Sequence, residues 1–246
     1  MNLSLIPETI LHIGSFTVTN TLITSWLVVV ILSISAIVVG RKAKMVPGGF
    51  QNVVEASLEG LFNFFDEIWG NNKKNSERFF PFLATFFLFI LIGNWFGLIP
   101  GVGSIGFYEV KQGETEFVPL LRSLNSDLNA TLAWAIISVI TTQISGFVIL
   151  GAKKHLSKFF NFKSPIDFFV GILELIGEVS RLISFSFRLF GNVFAGEVLL
   201  MVMMFLVPYI LPLPFLMLEI FVGLIQALVF TVLTLVFLKM ATEAHE

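Results

Sequence analysis

Arg188 stands inside the long apolar segment SFSFRLFGNVFAGE, residues 184–197, with Asn192 one turn later and Glu197 further along. A charge at membrane depth costs roughly 2.5–3.5 kcal/mol even on lenient insertion scales. Arginine cannot avoid that cost by losing its proton, because its pKa lies above about 12. The chemistry open to such a residue is electrostatic: a permanent positive charge in an apolar layer. A purely structural role would need a buried acid partner, and no acid sits within one turn. Glu174, Arg181 and Arg188 recur every seventh residue, which places them within about 40° of one another on a helix. Glu197 is nine residues past Arg188, so it lies on roughly the opposite face and about 13 Å further on. Arg188 and Glu197 therefore serve different surfaces.

A second polar set follows. Glu219 and Gln226 are seven apart on one helical face, with Gly223 between them. If the two segments fold back on each other, Glu219 and Glu197 fall toward the same side, and two carboxyls there could pass a proton inward. An apolar site favours the neutral carboxyl, which suits a relay. Other readings stay open. Glu178 and Arg181, at i and i+3, have the spacing of a structural ion pair. Glu174 sits near a segment end, where it could be solvated. Ser184 and Ser186 could bond back to their own helix. Asn192 and Gln226 could serve as interhelical glue.

These residues need membrane helices to position them. The chain has 246 residues, 56% hydrophobic and only 13% charged, with 29 Phe. Its mean hydropathy is +0.90, far above a soluble domain. The fold class is an all-α polytopic membrane protein, read as a single membrane domain over 1–246. Five segments are long enough to cross a hydrocarbon layer of about 30 Å: 20–40, 79–99, 129–151, 166–207 and 213–239. The fourth runs from Pro165 to Val207, roughly 64 Å if helical throughout. The chain therefore either turns near Gly191 and Asn192 or tilts strongly. A turn would put Lys239 on the wrong side by the charge rule, which favours one long tilted helix. The prolines of PYILPLP, 208–214, break it and turn the chain into the fifth, making a long tilted hairpin. Residues 50–70 carry Val53, Val54, Leu58, Leu61, Phe62, Phe65 and Trp69 at helical spacing among Glu55, Glu59, Asp66 and Glu67. That is an amphipathic helix for the membrane interface, not a crossing. Residues 100–127 are polar and Gly-rich. GVGSIG at 101–106 follows a membrane helix, not a strand, and reads as a flexible turn.

The cations agree on an orientation. Arg41, Lys42, Lys44, Lys73, Lys74, Arg78, Lys153, Lys154, Lys158, Lys163 and Lys239 fall on one side, Lys111 and Arg122 on the other. The positive-inside rule makes the first group cytoplasmic, with the N-terminus outside and the C-terminus inside. The chain has no cysteine, which excludes disulfide and thiol chemistry. His12, His155 and His245 are scattered and form no metal-ligand cluster. No basic patch with interleaved aromatics points to nucleic acid. H-E-x-x-H and G-x-S-x-G are absent, so an intramembrane hydrolase has no motif. A stand-alone secondary transporter or ion channel is the alternative, but the paired internal repeats it would carry are not seen.

FRLFGNVFAGE resembles the signature of subunit a of the F-type ATP synthase. The resemblance continues through LIQALVFTVLTLVFLKMATEAHE, through SDLNATLAW at 126–134 and through VPGGFQNVVE at 46–55. It implies a stator subunit of the Fo sector, non-catalytic, with no ATP site and no cofactor. The implied partners are a ring of c subunits, the b-subunit peripheral stalk, membrane lipid and transported protons, with sodium ions possible. The implied place is the inner membrane of a bacterium, or an organellar inner membrane. In that family the arginine matching Arg188 faces ring carboxylates and separates two offset half-channels. Asn192 and Gln226 match polar neighbours of that arginine. Glu197 and Glu219 match outer half-channel positions, some members having histidine where this chain has Glu219. Glu174 matches an acid of the inner half-channel, and Ser184 stands one turn before the arginine.

Overall fold

A computed structural model describes residues 7–14, 16–45, 48–111, 114–159, 164–208 and 210–242. The five expected crossing helices are present: α1 (Asn20–Lys42), α3 (Lys73–Phe96), α4 (Leu128–Leu150), α6 (Pro165–Leu206) and α7 (Pro212–Thr242). Helix α2 (Gly49–Trp69) lies between the first two of these, and α5 (Ala152–Phe159) follows α4. Two short antiparallel hairpins add β1 (Thr9–Ile13) with β2 (Phe16–Thr19), and β3 (Gly106–Lys111) with β4 (Glu114–Pro119). The chain alternates between two ends, one carrying these hairpins and one carrying α2 and α5.

Local chemistry sets the helix starts. Thr19 accepts the Leu22 amide at the start of α1, and Ser164 accepts the Ile166 amide ahead of Pro165 at the start of α6. Asp127 does two jobs. One oxygen accepts the Asn129 amide at 2.9 Å and the other accepts the Thr21 hydroxyl at 2.9 Å, so the starts of α4 and α1 are tied together. Gly70 ends α2 at φ 92, the left-handed cap that glycine adopts freely.

Helices α3, α4, α6 and α7 share the core. Phe86, Ile90, Ala135, Phe185, Leu189, Ala227 and Phe230 are all buried in one cluster. Phe230 is 2% exposed, with the Phe185 and Phe86 rings at 5.0 and 5.6 Å. Phe230→Ala is expected to destabilise the folded bundle by about 3–5 kcal/mol, read as a lower midpoint for loss of helicity in detergent. Two buried hydroxyl pairs join helices here: Thr131 with Ser186 at 3.2 Å and Ser138 with Thr234 at 2.8 Å. One face of α6 is left open, with Ile172, Ile176, Val179, Ile183 and Phe187 all exposed. An apolar helix face of this length requires lipid or another membrane chain against it.

Three regions differ from the reading of the sequence. The segment taken as a flexible turn contains a short 3₁₀ turn, Val102–Ser104, and then the β3–β4 hairpin. The basic stretch after α4 folds into α5. Asp66, counted among the surface acids of α2, points inward and accepts the Ser76 hydroxyl at 2.6 Å. Only Phe65, Asp66 and Trp69 of α2 are buried, against Phe79, Leu83, Leu235 and Leu238. Its remaining length stays on the surface, as an interfacial helix requires.

Candidate functional site

Arg188 lies on the open side of α6 and is exposed. Its Nη2 donates to the Ser184 hydroxyl one turn earlier at 3.3 Å, and among the described residues no carboxylate forms an ion pair with it. Helix geometry explains the Ser184 contact, since residues four apart are neighbours on one face. One turn beyond Arg188, Asn192 donates through Nδ2 to Gln226 Oε1 at 2.7 Å, joining α6 to α7. Gln226 Nε2 is buried without a protein partner.

Gln226 also lines a narrow cavity, with Asn94, Ser123, Asn192, Glu197 and Glu219 among its other walls. The cavity measures about 20 Å³, which suits a single water molecule. Glu219 reaches it across Gly196, where the helices cross so closely that a Cβ would collide with the Glu219 carboxyl. Asn94 donates to the Gly223 carbonyl at 2.9 Å and accepts from Asn125 at 2.7 Å, fixing α7 against α3 beside the acid. Toward the hairpin end the narrow cavity shares Gly97, Leu98, Ser123 and Glu197 with a vestibule of about 550 Å³. Its walls are largely apolar, including Val102, Leu121, Leu200, Met201, Met204 and Phe205, and its charged residues are Glu8, Arg122 and Glu197. Arg122 and Glu197 form an ion pair at 3.4 Å, with side chains 11% and 20% exposed.

A second polar group sits near the other end. Glu178 and Arg181 pair at 3.0 Å, as their spacing implies, and the Arg181 guanidinium lies 3.5 Å above the Phe237 ring. Glu174 joins them around a cavity of about 40 Å³ that His155 and Gln143 complete. His155 is 2% exposed and its Nε2 meets Gln143 Oε1 at 2.7 Å.

The structure thus brings Glu197, Glu219, Asn192 and Gln226 together around one cavity. Ser184 and Arg188 stand a turn beyond it, and Glu174 is set apart near the other end. The seven-residue stripe is divided: Glu174 and Arg181 line the 40 Å³ cavity, while Arg188 is exposed. Sequence reasoning missed Arg122, Asn94, Asn125, His155 and Gln143. Arg122 had been weighed only as a topology charge; that it is one of two cations on its side was the available signal.

Five crossing helices with internal polar groups gathered where α6 meets α7 define a multi-pass membrane protein with a buried polar cluster. Its family can be stated directly. Residues 22–239 match the family model described as ATP synthase A chain. Proteins named ATP synthase subunit a are similar along nearly the whole length. The one from Moorella thermoacetica is 30% identical over 239 residues, covering 97% of this chain and 98% of that protein. The one from Geotalea daltonii is 35% identical over 221 residues, covering 89% and 86%. The one from Geobacter sulfurreducens is 34% identical over 229 residues, covering 90% and 87%. The chain belongs to the subunit a family of the F-type ATP synthase.

Proposed function

We propose that this chain is the stator subunit that carries protons to and from carboxylates on a ring of c subunits, through two half-channels that do not meet. The observation that carries this reading is Arg188. Its guanidinium is exposed on an apolar helix face and donates to the Ser184 hydroxyl of its own helix. A fixed membrane charge needs a counter-charge, and a ring carboxylate arriving from outside the chain supplies one. The open apolar face of α6 around Arg188 is the surface a rotating ring would pass.

The vestibule and narrow cavity form the outer half-channel. A proton entering there passes Glu197 and Glu219 and neutralises a ring carboxylate near Asn192. The neutral carboxyl can face lipid at low cost, so the ring turns. After most of a revolution it reaches the inner path near Glu174. Arg188 favours the ionised carboxylate, so the proton leaves on that side. The same positive charge stops protons crossing directly between the two paths. The lysine-rich end, bearing α2 and α5, faces the cytoplasm of a bacterium. The ring and a b-subunit peripheral stalk complete the membrane sector. The ion carried is the proton, and the ring carboxylate sets the choice between protons and sodium.

Passive proton flow through the membrane sector in vesicles tests the reading. Glu219→Gln keeps the shape of the side chain and removes its exchangeable proton. Flow is expected to fall by at least about tenfold. Unchanged flow would remove Glu219 from the path.

A further inference from the structure

We propose that His155 is a brake on the inner path: by taking up a proton from the cytoplasmic side, it slows the release of further protons past Glu174. This role rests on the reading that protons leave near Glu174, and it adds a regulator to that exit.

His155 is set into the bundle by a helix that otherwise stays outside it. On α5, Lys153, Lys154, Leu156 and Ser157 are all exposed, whereas His155 is 2% exposed. Room for the ring comes from Gly146 on α4, where any Cβ would collide with it. Phe147 and Phe159 flank it, with centroids 4.5 and 5.7 Å away. Nε2 meets Gln143 Oε1 at 2.7 Å. A carbonyl oxygen only accepts, so Nε2 carries a hydrogen and Nδ1 is the nitrogen that gains or loses a proton. The Ala241 carbonyl, in the last turn of α7, lies on that side. A Cβ on Gly146 would stand 2.6 Å from Nδ1 and 3.1 Å from the Ala241 oxygen. The C-terminal end of a helix favours a cation. Each ring nitrogen thus faces a carbonyl oxygen or the negative end of a helix, as an imidazolium requires.

The charges around the ring come from α6. Glu174, Glu178 and Arg181 share the cavity of about 40 Å³ with His155. Helix α4 faces it with the uncharged Gln143, and α7 with Phe237, Met240 and Ala241. Lys239 of α7 is engaged elsewhere, donating to the Ile68 carbonyl at 3.3 Å. Lys153 and Lys154, on α5 itself, are exposed, where water and salt screen them. With His155 neutral, two carboxylates face one guanidinium, and the cavity holds a net negative charge that draws a proton in. A charged imidazolium cancels that charge and disfavours each further proton. Histidine is the side chain that titrates near neutrality, so changes in the cytoplasm can set it. The protons the path delivers are then what slows it. A histidine that only packs α5 against α4 would hold the bundle in the same way at every pH.

The test is proton flow from lumen to medium through the assembled membrane sector, in vesicles with the lysine-rich end outward. The imposed potential and the lumen pH are held fixed. The medium is taken from about pH 8.5 to about pH 5.5, which brackets the ordinary histidine range. His155→Gln and His155→Asn cannot take up the proton and keep an amide for Gln143, so failure of one to assemble leaves the other. Wild type and variants are expected to conduct alike at the alkaline end. At the acid end the wild type is expected to conduct about tenfold less than either variant, the scale of one charge acting within a few ångströms. Gln143→Glu places a carboxylate on Nε2 and is expected to move the midpoint of the brake up by at least about one pH unit. A ratio of wild type to variant that stays constant with pH, or a midpoint that Gln143→Glu leaves in place, would overturn the brake. Sectors lacking this chain are the control for the two-path reading. Flow that persists in them overturns that reading and the brake with it. Flow that needs this chain but keeps a constant ratio overturns the brake alone.

Discussion

Arg188→Ala is expected to abolish proton-driven ATP synthesis in membrane vesicles and to leave ATP hydrolysis by the detached soluble sector intact. The loss should exceed about a hundredfold, the scale for removing a charge placed where charge develops. The geometry explains why so small a change acts so strongly. Among the described residues Arg188 bonds to Ser184 on its own helix, and its surroundings on α6 are exposed aliphatic and aromatic side chains. Alanine is a better helix former there, so the helix itself does not suffer. On the proposed mechanism, what disappears is the cation that would draw a proton from an arriving carboxyl. Arg188→Gln sharpens the test. It keeps a donor for Ser184 but no charge, so it should fail as alanine does. Coupled synthesis retained in either variant would sink the mechanism.

Gly196→Val has the second largest expected effect. The Cβ of any residue other than glycine would collide with both oxygens of the Glu219 carboxyl. Gly196 is buried and Glu219 half-buried, and overpacking of this kind typically costs about 1–3 kcal/mol. The side chain that must yield is the acid itself, so proton flow in vesicles is expected to fall at least about tenfold. An exchange separates steric exclusion from general damage. Gly196→Glu combined with Glu219→Gly returns one carboxyl to the same place from the opposite helix, and should recover flow relative to either single change. A Gly196→Val protein that conducts like the wild type would show that the crossing is looser than the geometry requires. An exchange no better than the single changes would show that the acid must come from α7.

Much of this site was legible because it is helical and local. The length of α6 follows from an apolar run bounded by Pro165 and the prolines after Val207. The Glu178–Arg181 pair follows from i, i+3 spacing, and the divergence of Glu197 from Arg188 from the angle per residue. What could not be read depends on chain folding. Arg122 and Glu197 are 75 residues apart, and no local pattern announces that they meet. His155 sits in a basic stretch that reads as a solvated loop, yet α5 folds back and buries it at 2% exposure against Gln143. The β3–β4 hairpin escaped for another reason. Its strands, GFYEVK and ETEFVP, are only six residues each, and the glycines before them read as a turn. Backbone pairing, from Gly106 opposite Pro119 through Lys111 opposite Glu114, forms the strands without a core of their own.

The unbroken α6 has a mechanical consequence. Glu174, Arg188 and Glu197 sit on one rod with a continuous hydrogen-bond ladder. Their axial separations, about 21 Å and about 13 Å, are set by the rise per residue and not by loops. A push on one end is therefore transmitted along the whole length with little bending. In a motor, the reaction torque and the timing of the two proton steps would be carried by the same stiff beam, so lengthening it by one residue anywhere between Arg188 and Glu197 would rotate one station by about 100° against the other and put the stroke out of phase.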